Sequence, residues 1–127
     1  MRNRPEHDLQ CSIVQWASIH ERQYPELKWL YAIPNGSYKS AKSAKEFQEE
    51  GLKSGVPDLC LPIPRGGYGA LYIELKSPTG KLSENQRKWL QGLMDVGNLC
   101  LEARTYERVT QVILDYLKGK YERRSIL

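Results

Sequence analysis

The stretch from Gly55 to Ser77 reads GVPDLCLPIPRGGYGALYIELKS, two short apolar runs either side of a glycine-rich turn. Side chains alternate across a strand, so residues two apart share a face. In the second run Leu71, Ile73 and Leu75 face one way, and Tyr72, Glu74 and Lys76 the other. In the first, Leu59, Leu61 and Ile63 oppose Asp58 and Cys60. A turn centred on Gly66 makes an antiparallel hairpin whose partners have numbers summing to 132, which sets Asp58 across from Glu74. Opposed β-carbons lie about 4.5–5.5 Å apart, and like charges at that spacing are destabilising. A slip of one residue would send the two carboxylates to opposite faces.

The repulsion is tolerable if a divalent cation sits between the carboxylates. Mg²⁺ is a hard ion that takes one or two carboxylates and keeps several waters. Lys76 shares the face and could orient a water or stabilise charge building on a phosphate oxygen. The alternative is a surface cluster in which Lys76 only neutralises Glu74. The apolar residues around the motif, and Pro57-Asp58 before it, favour a site.

Outward from the hairpin, the chain punctuates itself clearly. Pro5 opens a first helix running to about Arg22, with Leu9, Ile13, Trp16, Ala17 and His20 on its inward stripe. LKWLYAIPNG reads as a short strand ending at Pro34, with Asn35-Gly36 as a turn. A polar helix or loop follows, ending around Gly51 to Gly55. After the hairpin, Ser83 and Gln86 form a capping-box pattern before a helix that Gly97 ends. LCLEAR is a fourth strand. Thr105 caps a last helix with Val109, Val112, Ile113, Tyr116 and Leu117 inward. The order is α-β-α-β-β-α-β-α, and 127 residues suit one domain, 1–127, with a basic tail at 118–127.

Hydrophobic residues at 40% and charged residues at 27% describe a globular chain rather than a disordered one. No apolar run is long enough for a bilayer, and the first ten residues lack an apolar signal region, so the expectation is a soluble protein that is not exported. Cys11, Cys60 and Cys100 fit neither a disulfide framework nor a zinc site and are expected to be small core residues in a reducing compartment. A net charge of +4 permits an anionic partner without establishing one. Lys39, Lys42 and Lys45, and the cluster Lys118, Lys120, Arg123 and Arg124, read first as a solvated helix face and a loose tail.

Pro57-Asp58 followed by Glu74-Leu75-Lys76 resembles the PD-(D/E)XK nuclease superfamily. More narrowly, PEHDLQCSIVQW, AIPNG, EEGLKSGVPDL, YIELKSPTGKLSENQRKWL and VGN resemble, in order, the VRR-NUC family, whose small stand-alone members come largely from viruses and bacteria. The resemblance implies an α/β fold with a restriction-endonuclease-like core: a mixed central sheet flanked by helices. It implies a phosphodiesterase that uses Mg²⁺ or Mn²⁺, held by Asp58, Glu74 and the Leu75 carbonyl, with Lys76 assisting the attacking water. Glu6 matches a first-helix glutamate of the family, as a further ligand. It also falls two turns before Ile13, on the inward stripe; the alternative is an acid favoured in a first turn by the helix dipole, and the family match favours the functional reading. Gln86 matches the glutamine after the ExK strand, and that role is compatible with the capping box. Trp89 reads as core rather than as a base-stacking platform, and His7 and His20 are too scattered for histidine chemistry.

Stand-alone members resemble Holliday junction resolvases. The expectation is therefore a homodimeric endonuclease acting on four-way DNA junctions in the cytoplasm of a bacterial or phage-infected cell. The C-terminal helix and the tail ending in Ile126-Leu127 are candidate dimer surfaces. Larger relatives with additional domains act on flaps, so a flap or nicking nuclease is the alternative; a DNA-binding module that does not cut is the third.

Overall fold

A computed structural model describes residues 4–34 and 41–124, the side chains of residues 41 and 42 excepted. Helix α1 spans Pro5–Ile19, a short 3₁₀ helix Pro25–Trp29, strand β1 Tyr31–Ala32, helix α2 Ala41–Glu49, β2 Leu59–Leu61, β3 Leu71–Leu75, α3 Glu84–Asp95, β4 Leu99–Ala103 and α4 Tyr106–Leu117. The sheet order is β1-β2-β3-β4. The first two pairings are antiparallel and β3–β4 is parallel, with α3 as the crossover, so the sheet is mixed.

One sheet face carries Leu59, Leu61, Leu71, Ile73, Leu75, Leu99 and Ala103. They form the core with Ile13, Trp16 and Ala17 of α1 and Val109, Val112, Ile113 and Tyr116 of α4. These positions of the stripes read from helical spacing are buried, while Leu9, His20 and Leu117 are half-buried. The other face carries Cys60, Tyr72, Glu74, Lys76 and Cys100, of which all but Tyr72 are buried. Cys11 differs from expectation: it is exposed on α1, off the inward stripe, while Cys60 and Cys100 are buried.

The segment expected to be one strand splits. Pro25 starts the 3₁₀ helix, which buries Leu27, and only Tyr31 and Ala32 pair with β2. The Asn35-Gly36 turn and Lys39 lie outside the described residues. The polar stretch after them is a helix with a glycine cap. Gly51 has φ +98, its N–H donates to Gln48 O at 3.0 Å, and Leu52 N–H donates to Phe47 O at 2.9 Å.

The β2–β3 partners do sum to 132: Leu59↔Ile73, Cys60↔Tyr72 and Leu61↔Leu71. The turn, however, is not centred on Gly66. Arg65 and Tyr68 pair around Gly66-Gly67, whose φ values of +59 and +86 suit a tight two-residue hairpin turn. That tip alone would set a register one residue off. Pro62, Ile63 and Pro64 then face only Gly69 and Ala70, and this bulge restores the register. Proline has no N–H to give a ladder, so two of the bulged residues lose little by leaving it. Helix α4 holds the bulge: the Tyr116 hydroxyl donates to Ile63 O at 2.5 Å, and Arg65 Nε donates to Leu117 O at 3.2 Å.

The basic tail is not loose over its described part. Arg123 N–H donates to Gly66 O at 2.7 Å, and a β-carbon on Gly66 would stand 1.9 Å from the Tyr121 carbonyl oxygen. Residues 121–123 thus lie across the hairpin tip; Ile126 and Leu127 are outside the described residues. Gly66→Ala should lower the unfolding midpoint much more than Gly51→Ala. The latter meets nothing within 4 Å and carries only the positive-φ strain, about 1 kcal/mol. Urea denaturation of the two variants compares them; equal losses would mean that the tail contact contributes nothing.

Candidate functional site

The ladder between β2 and β3 stops one pair short of the carboxylates. Pro57 cannot donate across the strands, and Asp58 leaves the regular pairing expected from the sequence. Its N–H donates to Ile73 O at 3.1 Å, and its carbonyl accepts from Ile33 N–H at 2.9 Å. Its carboxylate Oδ2 accepts from Leu75 N–H at 2.7 Å. Asp58 is therefore fixed at the end of β3 by a side chain-to-backbone bond rather than as a direct ladder partner of Glu74. It still lies close enough to influence the titration of Glu74.

Glu74 is 2% exposed and Lys76 7%, so the pair is not a surface cluster. Lys76 Nζ stands 3.6 Å from Glu74 Oε1. That same oxygen accepts from Gln86 Nε2 at 2.9 Å. Gln86 divides its amide between two tasks. Its Oε1 accepts from Ser83 N–H at 2.9 Å and its own N–H donates to Ser83 Oγ at 3.1 Å, completing the capping box of α3. The amide nitrogen remains for Glu74. Helix α3 thus begins where it does because of Ser83, and that start delivers Gln86 to the carboxylate.

The other oxygen, Glu74 Oε2, is buried with no hydrogen-bond partner among the described residues. An unsatisfied buried carboxylate oxygen is costly. Burial pushes the Glu74 carboxyl up to about 8; the charge on Asp58 adds to the rise, Lys76 opposes it, and Glu6 adds a smaller push. This donor set fits a hard divalent cation, whose charge would supply the partner that Oε2 lacks. Among the described residues no three Asp, Glu, His or Cys side chains gather as a ligand group. Glu6 Oε1 accepts from Ser77 N–H at 3.1 Å.

A cleft of about 650 Å³ opens beside the pair, lined by Asp58, Leu75 and Ser77 and by Arg4, Glu6, His7 and Gln10 from the start of α1. His7 and Gln10 did not stand out as site residues in the sequence. The available signal was the position of Gln10, four residues beyond Glu6 and three beyond His7, which makes it a helix-surface neighbour of both. Trp89 is half-buried rather than core, since α3 has no buried residues.

Comparisons with known proteins point to one family and agree with the fold. The model of the VRR-NUC domain matches residues 1–104, most of the chain and all of the site. A solved VRR_NUC domain protein superposes with a TM-score of 0.77 at 26% identity, over 94% of this chain and 93% of that one. A Fanconi-associated nuclease 1 homolog from Oryza sativa subsp. japonica is 49% identical over 47 residues, 35% of this chain. The chain spans 5% of the length of that relative.

The raised Glu74 carboxyl sets a sign for stability. A group that holds its proton more tightly folded than unfolded contributes stability fully present below the ordinary value of 4.5 and lost as pH rises through about 8. With divalent ions chelated, the melting temperature should fall from pH 5 to pH 9, as this group removes up to about 1.4 kcal/mol of stability per pH unit between the two pKa values. Glu74→Gln should flatten that slope and melt higher than wild type at pH 8. An unchanged slope in Glu74→Gln would mean that Glu74 is ionised throughout.

Proposed function

The chain belongs to the VRR-NUC family, and on that premise we propose that it is a metal-dependent endonuclease that hydrolyses DNA phosphodiester bonds. The observation that carries this reading is a buried glutamate, Glu74, with one oxygen lacking a partner and with Asp58 and Lys76 beside it. Asp58, Glu74 and the Leu75 carbonyl would hold Mg²⁺ or Mn²⁺. Such an ion supplies Lewis acidity towards a phosphate oxygen and makes a bound water a stronger nucleophile.

The remaining work falls to the chain's own groups. The Leu75 N–H fixes the Asp58 carboxylate through Oδ2. Gln86 fixes Glu74 through Oε1, which leaves Oε2 for the ion. Lys76, anchored by its N–H on Ala103 O at 3.0 Å, keeps an ammonium where an attacking water or a developing phosphate charge needs one. Glu6 borders the same cleft from α1.

For the substrate, we read a four-way DNA junction cut by a two-fold homodimer, because paired nicks on a symmetric junction need two equivalent sites. The positive net charge would extend contact along the phosphates, so affinity should fall steeply with salt.

Lys76→Ala should lower cleavage about 10²–10⁴-fold while leaving DNA affinity close to wild type. Cleavage at the wild-type rate would return Lys76 to a structural ion pair. Labelled junction, flap, single-stranded and duplex DNA, with Mg²⁺ or Mn²⁺ and with chelator, identify the substrate. Light scattering against the 14.7 kDa of one chain gives the assembly. A dimer that nicks junctions in pairs is expected. A monomer that cuts flaps and ignores junctions would reject the resolvase reading and keep the nuclease. Binding without cutting in either metal would reject the nuclease.

A further inference from the structure

Immediately after Lys76 the chain makes a tight turn, Ser77-Pro78-Thr79-Gly80, closed by Gly80 N–H donating to Ser77 O at 3.2 Å. Proline at the second position and glycine at the fourth suit such a turn, but an exposed four-residue turn is not held by its own closure alone. Three elements meet it. Strand β4 accepts from Lys76 N–H through Ala103 O at 3.0 Å. Helix α1 accepts from Ser77 N–H through Glu6 Oε1 at 3.1 Å. The third is a side chain. Arg104, the residue after β4, donates from Nη1 to Ser77 O at 2.7 Å and to Gly80 O at 2.6 Å, and its Nη2 lies 3.4 Å from Glu102 Oε1.

The turn so held is in contact with the site. A β-carbon on Gly80 would stand 2.9 Å from Ser77 Oγ, 3.4 Å from Glu6 Oε1 and 3.5 Å from Lys76 Cδ. The backbone at Gly80 therefore packs against Glu6 and against the stem of Lys76. A shift of the turn would carry the Ser77 N–H away from Glu6 and open space beside the lysine.

We propose that Arg104 is a positioning residue for the nuclease site: its guanidinium clamps the Ser77–Gly80 turn, and through that turn it sets Glu6 and the Lys76 side chain. The proposal rests on the nuclease reading for its effect on rate, but the clamp itself can be observed without cleavage. One planar guanidinium reaches two carbonyls and a carboxylate at once. A lysine in its place keeps the charge but not the fork. Outer groups that orient site residues are typically worth about 10–100-fold in activity.

The test compares Arg104→Met, Arg104→Lys and wild type as full chains, checked for folding by circular dichroism. The first readout is amide exchange by NMR at Ser77 and Gly80. The second is kcat and KM on one labelled DNA substrate with Mn²⁺. In Arg104→Met, the Ser77 and Gly80 amides should exchange faster while amides of β3 and α4 stay as in wild type. kcat should fall about 10–100-fold with KM little changed. Arg104→Lys should show the same signs with smaller losses, and it carries the test if Arg104→Met does not fold. Wild-type exchange at Ser77 in a folded variant overturns the clamp. Faster exchange with wild-type kcat overturns its role in positioning. If the wild-type chain cuts no DNA, the nuclease reading fails, and the exchange measurement still decides whether the clamp exists.

Discussion

The functional end of the sheet is organised by the cost of burying Glu74 beside a second acid. A carboxylate 2% exposed, with one oxygen lacking a donor, is an arrangement that folding alone would discard. It persists because the surroundings over-determine it. Lys76 supplies a nearby positive charge, Gln86 satisfies the other oxygen, and the Leu75 N–H keeps Asp58 in place. Each of these contacts depends on register. The bulge at Pro62–Pro64, the glycine turn and the chain segment across Gly66 are the features that fix it. The hairpin tip, remote from the carboxylates along both strands, is thereby part of their support.

Much of the fold was legible because the sequence obeys simple periods. Alternation gave the two faces of β3, helical spacing gave Ile13, Trp16 and Ala17 and the stripe of α4, and Ser83 with Gln86 marked the start of α3. The register was also legible, though for an instructive reason. The turn sits half a residue from where the glycines suggested, and a bulge compensates; two departures cancel. Nothing in the spacing could announce the second of these except the prolines that flank Ile63.

The site was legible by residue type and less so by contact. Asp58, Glu74, Lys76 and Gln86 come together, but Asp58 does so through the Leu75 amide after the ladder has ended, which alternation cannot foresee. Glu6 borders the cleft yet spends an oxygen on Ser77 N–H. Arg104 gave no sign, because its two carbonyl partners are 24 and 27 residues earlier in the chain and carry no side-chain signature. The tail failed for a similar reason. A run of basic residues describes its solubility, whereas Arg123 is placed by its backbone N–H on Gly66 O. Backbone contacts across long separations are where a single sequence falls silent.

We propose that Asp58 and Glu74 form one site for a divalent cation at the end of β3. Calorimetric titration of Mn²⁺ into wild type, Asp58→Asn and Glu74→Gln tests it without DNA and without turnover. Wild type should bind Mn²⁺, and each substitution alone should remove most of that binding while the protein stays folded, since each takes away one of the two carboxylates. Binding of Mn²⁺ to both variants with wild-type affinity would place the ion elsewhere and rule out a site shared by Asp58 and Glu74.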